Sequence, residues 1–165
     1  MASEIIQVAR LSTEEYRHLN EWATDVFGTA HLGLTFRPKD HHFLLYEDGR
    51  LASHVGVLKH TVSAAGRAVR VCGLGGVVTL AGFQRRGFAR QLMERAAEGD
   101  LEAGLLFCLP RMVDYYSRLG WRMVESPVGI DQPGGRVVSP LHVMVLPCGR
   151  AAGAISAVEL GSFPW

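Results

Sequence analysis

The hydrophobic period changes sharply from strand to helix inside the loop at residues 80–88, and that change constrains the fold most. Before it, residues 43–46 and 51–62 read as strands joined around Asp48-Gly49, a strong hairpin signal. Residues 64–67 form the next turn. Residues 68–80 read as a third strand, broken by Gly73, Gly75 and Gly76. Three neighbouring meander strands are expected. After the change, Phe88, Leu92, Met93, Ala96 and Ala97 form one helical stripe, closed by Gly99. Residues 105–109 are a continuous apolar run, short enough for a buried strand. Met112, Val113, Tyr116 and Leu119 make another helical stripe, closed by Gly120, and residues 121–124 and 137–146 read as two last strands.

The front of the chain adds a strand at residues 5–8 and a helix. Ser12-Thr13-Glu14-Glu15 is a capping box, with Leu11 and Tyr16 placed as a hydrophobic staple. Tyr16, Leu19, Ala23, Val26 and Phe27 continue at helical spacing until Gly28. Residues 28–42 have no period and are expected as loop or short helix. The expected class is α/β (α+β), one domain over residues 1–165 with a central mixed, mostly antiparallel sheet flanked by helices.

Composition narrows the function. The chain has 165 residues, a formal charge of +1, 48% hydrophobic and 20% charged residues. That suits one globular domain and opposes a broad basic field for nucleic acid. Cys72, Cys108 and Cys148 are too far apart for a zinc site or a disulfide framework. The first residues lack a signal-peptide layout, and no uncharged run approaches the ~20 residues of a membrane helix. A cytoplasmic, reduced protein is expected, without a membrane or nucleic-acid partner and with a homodimer allowed.

The loop from Leu80 to Ala89 carries the chemistry. Unpaired N–H groups gather at a helix N-terminus, where the dipole favours an anion. Gly87 and small Ala89 allow close approach to the backbone, and Arg85 and Arg86 add charge, so a pyrophosphate suits the site. It is not a Walker loop, because Phe88-Ala89 stand where Lys-Ser/Thr is needed, and Val78 replaces the third glycine of a dinucleotide fingerprint. The other reading is an ordinary strand–helix turn with solvated arginines.

Val77-Val78-Thr79 followed by Gln84-Arg85-Arg86-Gly87-Phe88-Ala89 resembles the acyl-CoA motif of the GNAT acetyltransferases. Tyr115-Tyr116-Ser117-Arg118-Leu119-Gly120-Trp121 is similar to that family's second motif. The resemblance implies a GNAT-like domain that moves an acetyl group from acetyl-CoA to an amine acceptor, small or on a protein. It implies that the backbone of Val77, Val78 and Thr79 pairs with the pantetheine arm. Gln84, Arg85, Arg86, Gly87, Phe88 and Ala89 would cradle the pyrophosphate. The glycines would form a bulge, with Gly75 and Gly76 beside the substrate and nearby backbone N–H groups polarising the carbonyl. Tyr116 would protonate the departing thiolate. The alternative is a GNAT-fold module that binds acyl-CoA or a partner without efficient turnover.

The base is less defined. Family members often place Glu or Asp where this chain has Gly75 and Gly76. His54 and His60 share one strand face by even spacing, and His54 is the candidate nearest the substrate. His41-His42 would point to opposite faces, and no metal is expected. Phe163-Pro164-Trp165 ends a Gly/Ala-rich stretch with aromatics suited to a groove, so the Trp165 carboxylate is a candidate for holding an ammonium or acting as base. Residues 145–147, Cys72-Gly73 and Trp165 are similar to the aminoglycoside 2′-N-acetyltransferases. Gly75 and Val138-Ser139-Pro140 depart from that subgroup's acidic positions, and Leu109 stands where many family members have Asn.

Overall fold

The computed structural model describes residues 2–20, 25–148, 155 and 157–165. Ten strands form one sheet: β1 (Ser3–Val8), β2 (His41–Glu47), β3 (Arg50–Ala64), β4 (Arg67–Thr79), β5 (Ala103–Cys108), β6 (Arg122–Met123), β7 (Gly129–Gln132), β8 (Gly135–Val138), β9 (His142–Pro147) and β10 (Val158–Glu159). Their order is β6-β9-β5-β4-β3-β10-β7-β8, with β2 also on β3 and β1 on β2. Among the described residues only the β4–β5 and β10–β7 pairs are parallel. The mixed, mostly antiparallel sheet is therefore as expected.

The meander follows its turn residues. Asp48 and Gly49 take φ +47° and +75°, and Ala65 and Gly66 take +50° and +78°, the left-handed pairs that two-residue hairpins need. Among the described residues three α-helices flank the sheet: α1 (Thr13–Asn20), α2 (Phe88–Ala96) and α3 (Val113–Arg118). Helix α2 has only 9 residues, too few to be stable alone. Its stripe of Phe88, Leu92, Met93 and Ala96 is buried on Val55, Val57, Cys72 and Leu74 of β3 and β4. Each large apolar side chain so buried contributes about 1.5–3 kcal/mol. The opposite face holds Leu58, Val62, Val69, Val71 and Leu105 with Trp165.

Three expectations need correction. The capping box is present: Glu15 N–H donates to Ser12 Oγ at 3.1 Å and Ser12 N–H to Glu15 Oε2 at 2.7 Å. The staple is not, because Tyr16 is 62% exposed while Leu11 packs toward Leu19. The first helix also stops at Asn20 among the described residues; Ala23 lies outside them. Val26 and Phe27 lie in a turn where the Asp25 carboxylate accepts the Thr29 and Ala30 N–H groups, both at 3.0 Å. Finally, residues 137–146 are two strands. Ser139 N–H donates to Val128 O at 2.8 Å, and Pro140 has no N–H for a ladder, so β8 and β9 part there. The sequence reading missed β7 and β10.

Candidate active site

The parallel pairing of β4 and β5 stops at Leu74 opposite Leu106. Beyond it β4 continues to Thr79, held by β3 alone, while the chain after β5 turns away through Leu109-Pro110 into α3. A cleft of about 580 Å³ opens between them. Gly75, Gly76, Val77, Val78 and Thr79 line one wall; Phe107, Cys108, Leu109, Met112 and Tyr116 line the other. Such a volume is ordinary for a small-molecule site.

The expected bulge is present on β4. His54 pairs with Val78 and Gly56 with Gly75, so Val55 faces both Gly76 and Val77. Gly76 takes φ +58°, which favours glycine. The buried His54 holds this kink in place. Its Nδ1–H donates to Gly76 O at 2.6 Å, and its Nε2 accepts from His42 Nδ1–H at 2.9 Å. Burial pushes the His54 imidazole down to about 4, so it is neutral at pH 7. A trans peptide points its C=O and N–H in opposite directions, so this grip turns the Val77 N–H away from His54. His54 therefore sits behind the bulge, outside the cleft lining, where its sequence position had suggested a substrate contact. His60 is also occupied: Nδ1 accepts from Arg37 at 3.2 Å and Nε2–H donates to Leu160 O at 2.8 Å.

At the end of β4 the chain makes successive left-handed turns, with φ of +87° at Gly82, +61° at Arg85 and +78° at Gly87. Helix α2 has no side-chain cap. Its first N–H partner is Gln91, donating to Gly87 O at 3.0 Å; residues 84–90 donate no main-chain N–H to any described residue. A run of aimed N–H groups at a helix start is an anion cradle. A Cβ at Gly82 or Gly87 would meet nothing within 4 Å, so the space before the cradle is open.

The side chains here do other work than the sequence suggests. Phe88 and Ala89 are buried in the core. Gln84 Nε2 donates to Thr79 O at 3.3 Å, tying loop to strand. The Arg86 guanidinium forms a two-pronged ion pair with the buried Glu47 and lies 4.9 Å over the Phe88 ring, so it braces the loop. Exposed Arg85 has no partner among the described residues and keeps its charge beside the cradle.

The acetyltransferase (GNAT) domain family matches residues 7–124. The chain belongs to the GNAT acetyltransferase family. As a GNAT protein it is an acyltransferase with the family's single mixed-sheet domain. No curated protein matches its sequence. Among solved structures it is similar to Bacillus subtilis N-acetyltransferase YlbP in complex with coenzyme A, at TM-score 0.61 and 11% identity over 89% of this chain and 97% of that one. An acyl-CoA N-acyltransferase from Pseudomonas aeruginosa gives 0.54 and 21% over 87% and 99%. N-acetylglutamate synthase from Neisseria gonorrhoeae, complexed with coenzyme A and N-acetyl-glutamate, gives 0.60 and 12% over 91% and 36%. These likenesses are of fold.

Within this GNAT domain the remaining candidates lie as follows. Tyr116 lines the cleft, is buried among Tyr115, Trp121 and Cys108, and its hydroxyl has no hydrogen-bond partner among the described residues. Burial pushes its pKa well above the ordinary tyrosine value. Trp165 is buried, its Nε1–H donating to Leu105 O at 3.1 Å, with His60 and Phe107 edge-on to its ring. Gly73 makes room for it: a Cβ there would come 2.4 Å from Trp165 Cε2. The sequence reading missed Lys39, which lines the cleft and whose stem crosses Gly56 and Gly75. Its signal was the glycine at both positions, which leaves room for an overlying side chain. Among the described residues no three His, Cys, Asp or Glu gather as a metal site, and no helix is long and apolar enough to cross a membrane.

Proposed function

We propose that residues 1–165 form one acetyltransferase domain that moves an acetyl group from acetyl-CoA to a small primary amine by direct attack. One observation carries this reading: N–H groups of residues 84–90, without a partner among the described residues, stand at one end of the cleft that the split strand pair opens. A diphosphate suits the cradle. The free edge of Val77, Val78 and Thr79 suits the amide-bearing pantetheine arm. The thioester then reaches the bulge, where the Val77 N–H is our donor to the carbonyl oxygen as it gains charge.

Tyr116 is our proton donor to the leaving sulfur. A free thiol ionises near 8.5 and tyrosine near 10, so full transfer is mildly uphill in water. The cleft wall alters both. The Cys108 thiol on the same wall is pushed up to about 11 by burial. A thiolate released beside it becomes more basic for the same reason, which keeps a hydrogen bond from Tyr116 useful as the C–S bond breaks.

No described Asp or Glu side chain lines the cleft, and its two lining cations are Lys39 and Arg111. A polycationic aminoglycoside would meet like charge there, so that acceptor class is not part of the proposal. An entering ammonium is favoured in its neutral form by the same charge, which lessens the need for a carboxylate base. The test is release of free CoA thiol that depends on an added amine, with the acetylated amine identified by mass. Acetyl-CoA binding without turnover across a broad amine panel would refute transfer.

A further inference from the structure

The acceptor end of the cleft holds a cation with no ion pair among the described residues. Lys39 is laid across two neighbouring strands at positions without side chains. A Cβ at Gly56 would come 2.5 Å from its Cγ, and a Cβ at Gly75 would come 2.6 Å from its Cε and 3.0 Å from its Nζ. The glycines therefore admit the stem and bring the amine to the edge of the bulge. Among the described residues that amine has no ion pair and no hydrogen bond. Adjacent Asp40 is engaged elsewhere, its Oδ2 accepting the Lys59 N–H at 3.0 Å. The main-chain end of Trp165 also reaches Gly75, yet no ion pair joins it to Lys39.

Burial and the nearby Arg37 charge push Lys39 down to about 8. A half-buried cation without an ion pair is costly, and an anion placed beside it lowers that cost. The cleft around it is largely apolar, with Phe36, Phe107 and Trp165 among its lining.

Resting on the acetyl-transfer reading, we propose that Lys39 anchors a carboxylate on the acceptor, so that the substrate is an amine that also carries a carboxylate on an apolar body. The carboxylate gives Lys39 an ion pair. The apolar body fits the aromatic wall.

Two arms test this with the full chain. In the first, thiol release from acetyl-CoA is compared for phenylalanine against phenylalaninamide and for aminohexanoate against hexylamine. The acid of each pair should give kcat/KM about tenfold higher or more. Lys39→Gln should bring the ratio near one with KM for acetyl-CoA unchanged, and Lys39→Glu should reverse it. The second arm needs no turnover: calorimetry with phenylpropionate and phenylpropionamide. The acid should bind about tenfold tighter to wild type and no tighter to Lys39→Gln. Equal binding of acid and amide to wild type, or a Lys39→Gln protein that keeps the preference, overturns the anchor and leaves acetyl transfer standing. Failure of wild type to bind acetyl-CoA removes the transfer reading, and the phenylpropionate arm still decides the anchor.

Discussion

Acidification should destabilise this protein well before its carboxylates titrate, and His54 is the reason. The imidazole is buried, donates to the Gly76 carbonyl and accepts from His42, which leaves it no room for a second proton. Its folded pKa is about 4 against an ordinary 6.5. The unfolded chain therefore binds the extra proton first as pH falls. Stability is full above 6.5, declines toward 4 and levels off below it. Between pH 7 and pH 5 the loss is about 2 kcal/mol. For a chain of this size that lowers Tm by about 4–8 °C. His42, also lowered chiefly by burial, adds a smaller loss of the same sign. Glu15, held low by its Ser12 and Tyr46 hydrogen bonds against the effect of burial, contributes only below the usual carboxylate range. The assay is urea unfolding at the two pH values for wild type and His54→Asn. Asparagine can place a donor toward Gly76 O and cannot take a proton. It strands the His42 N–H and should cost about 1–3 kcal/mol at pH 7. Its further loss at pH 5 should be much smaller than wild type's. A wild type that loses less than about 0.5 kcal/mol, or an Asn variant that loses as much as wild type, would refute the reasoning.

Gly87→Glu puts a side chain on a φ of +78° and an anion in the cradle, so calorimetry should show acetyl-CoA binding abolished; unchanged affinity contradicts the cradle. Tyr116→Phe should lower kcat by about tenfold or more while KM for acetyl-CoA stays within about twofold, and full activity would place the proton donor elsewhere. Gly73→Ala should displace the Trp165 ring, cost about 1–3 kcal/mol and red-shift tryptophan emission. An unshifted spectrum at unchanged Tm would count against that packing. Arg86→Ala should leave Glu47 buried without its partner and lower stability by about 2–3 kcal/mol in urea unfolding, and a change under about 0.5 kcal/mol would mean the pair is weak.

Where local chemistry decides, the sequence was readable. Asp48-Gly49 dictates its hairpin because few residue pairs tolerate two left-handed positions, and the α2 stripe faces the core because nothing else could bury it. The resemblance implied that Val77, Val78 and Thr79 pair with a pantetheine arm, which needs the free edge that the split of β4 from β5 leaves. The site was read less well where tertiary contacts decide. Arg86 in a phosphate-like loop reads as a ligand until Glu47, 39 positions earlier, is brought against it. His54 on an alternating strand reads as facing substrate, yet a register shift at the bulge turns a carbonyl onto it. Lys39 lies in a segment without period, and only the sheet brings Gly56 and Gly75 together beneath it. Residues 137–146 look continuous by hydrophobicity, but Pro140 and the Ser139 contact to Val128 interrupt the ladder.

The account rests on main-chain amides receiving a nucleotide diphosphate while the neighbouring split takes its arm. An amide-resolved NMR titration with coenzyme A tests that most directly. The account predicts that the largest shifts fall on residues 84–90, followed by Val77, Val78 and Thr79, and that they saturate together. Shifts that spare residues 84–90, or that gather on another part of the sheet, would contradict it.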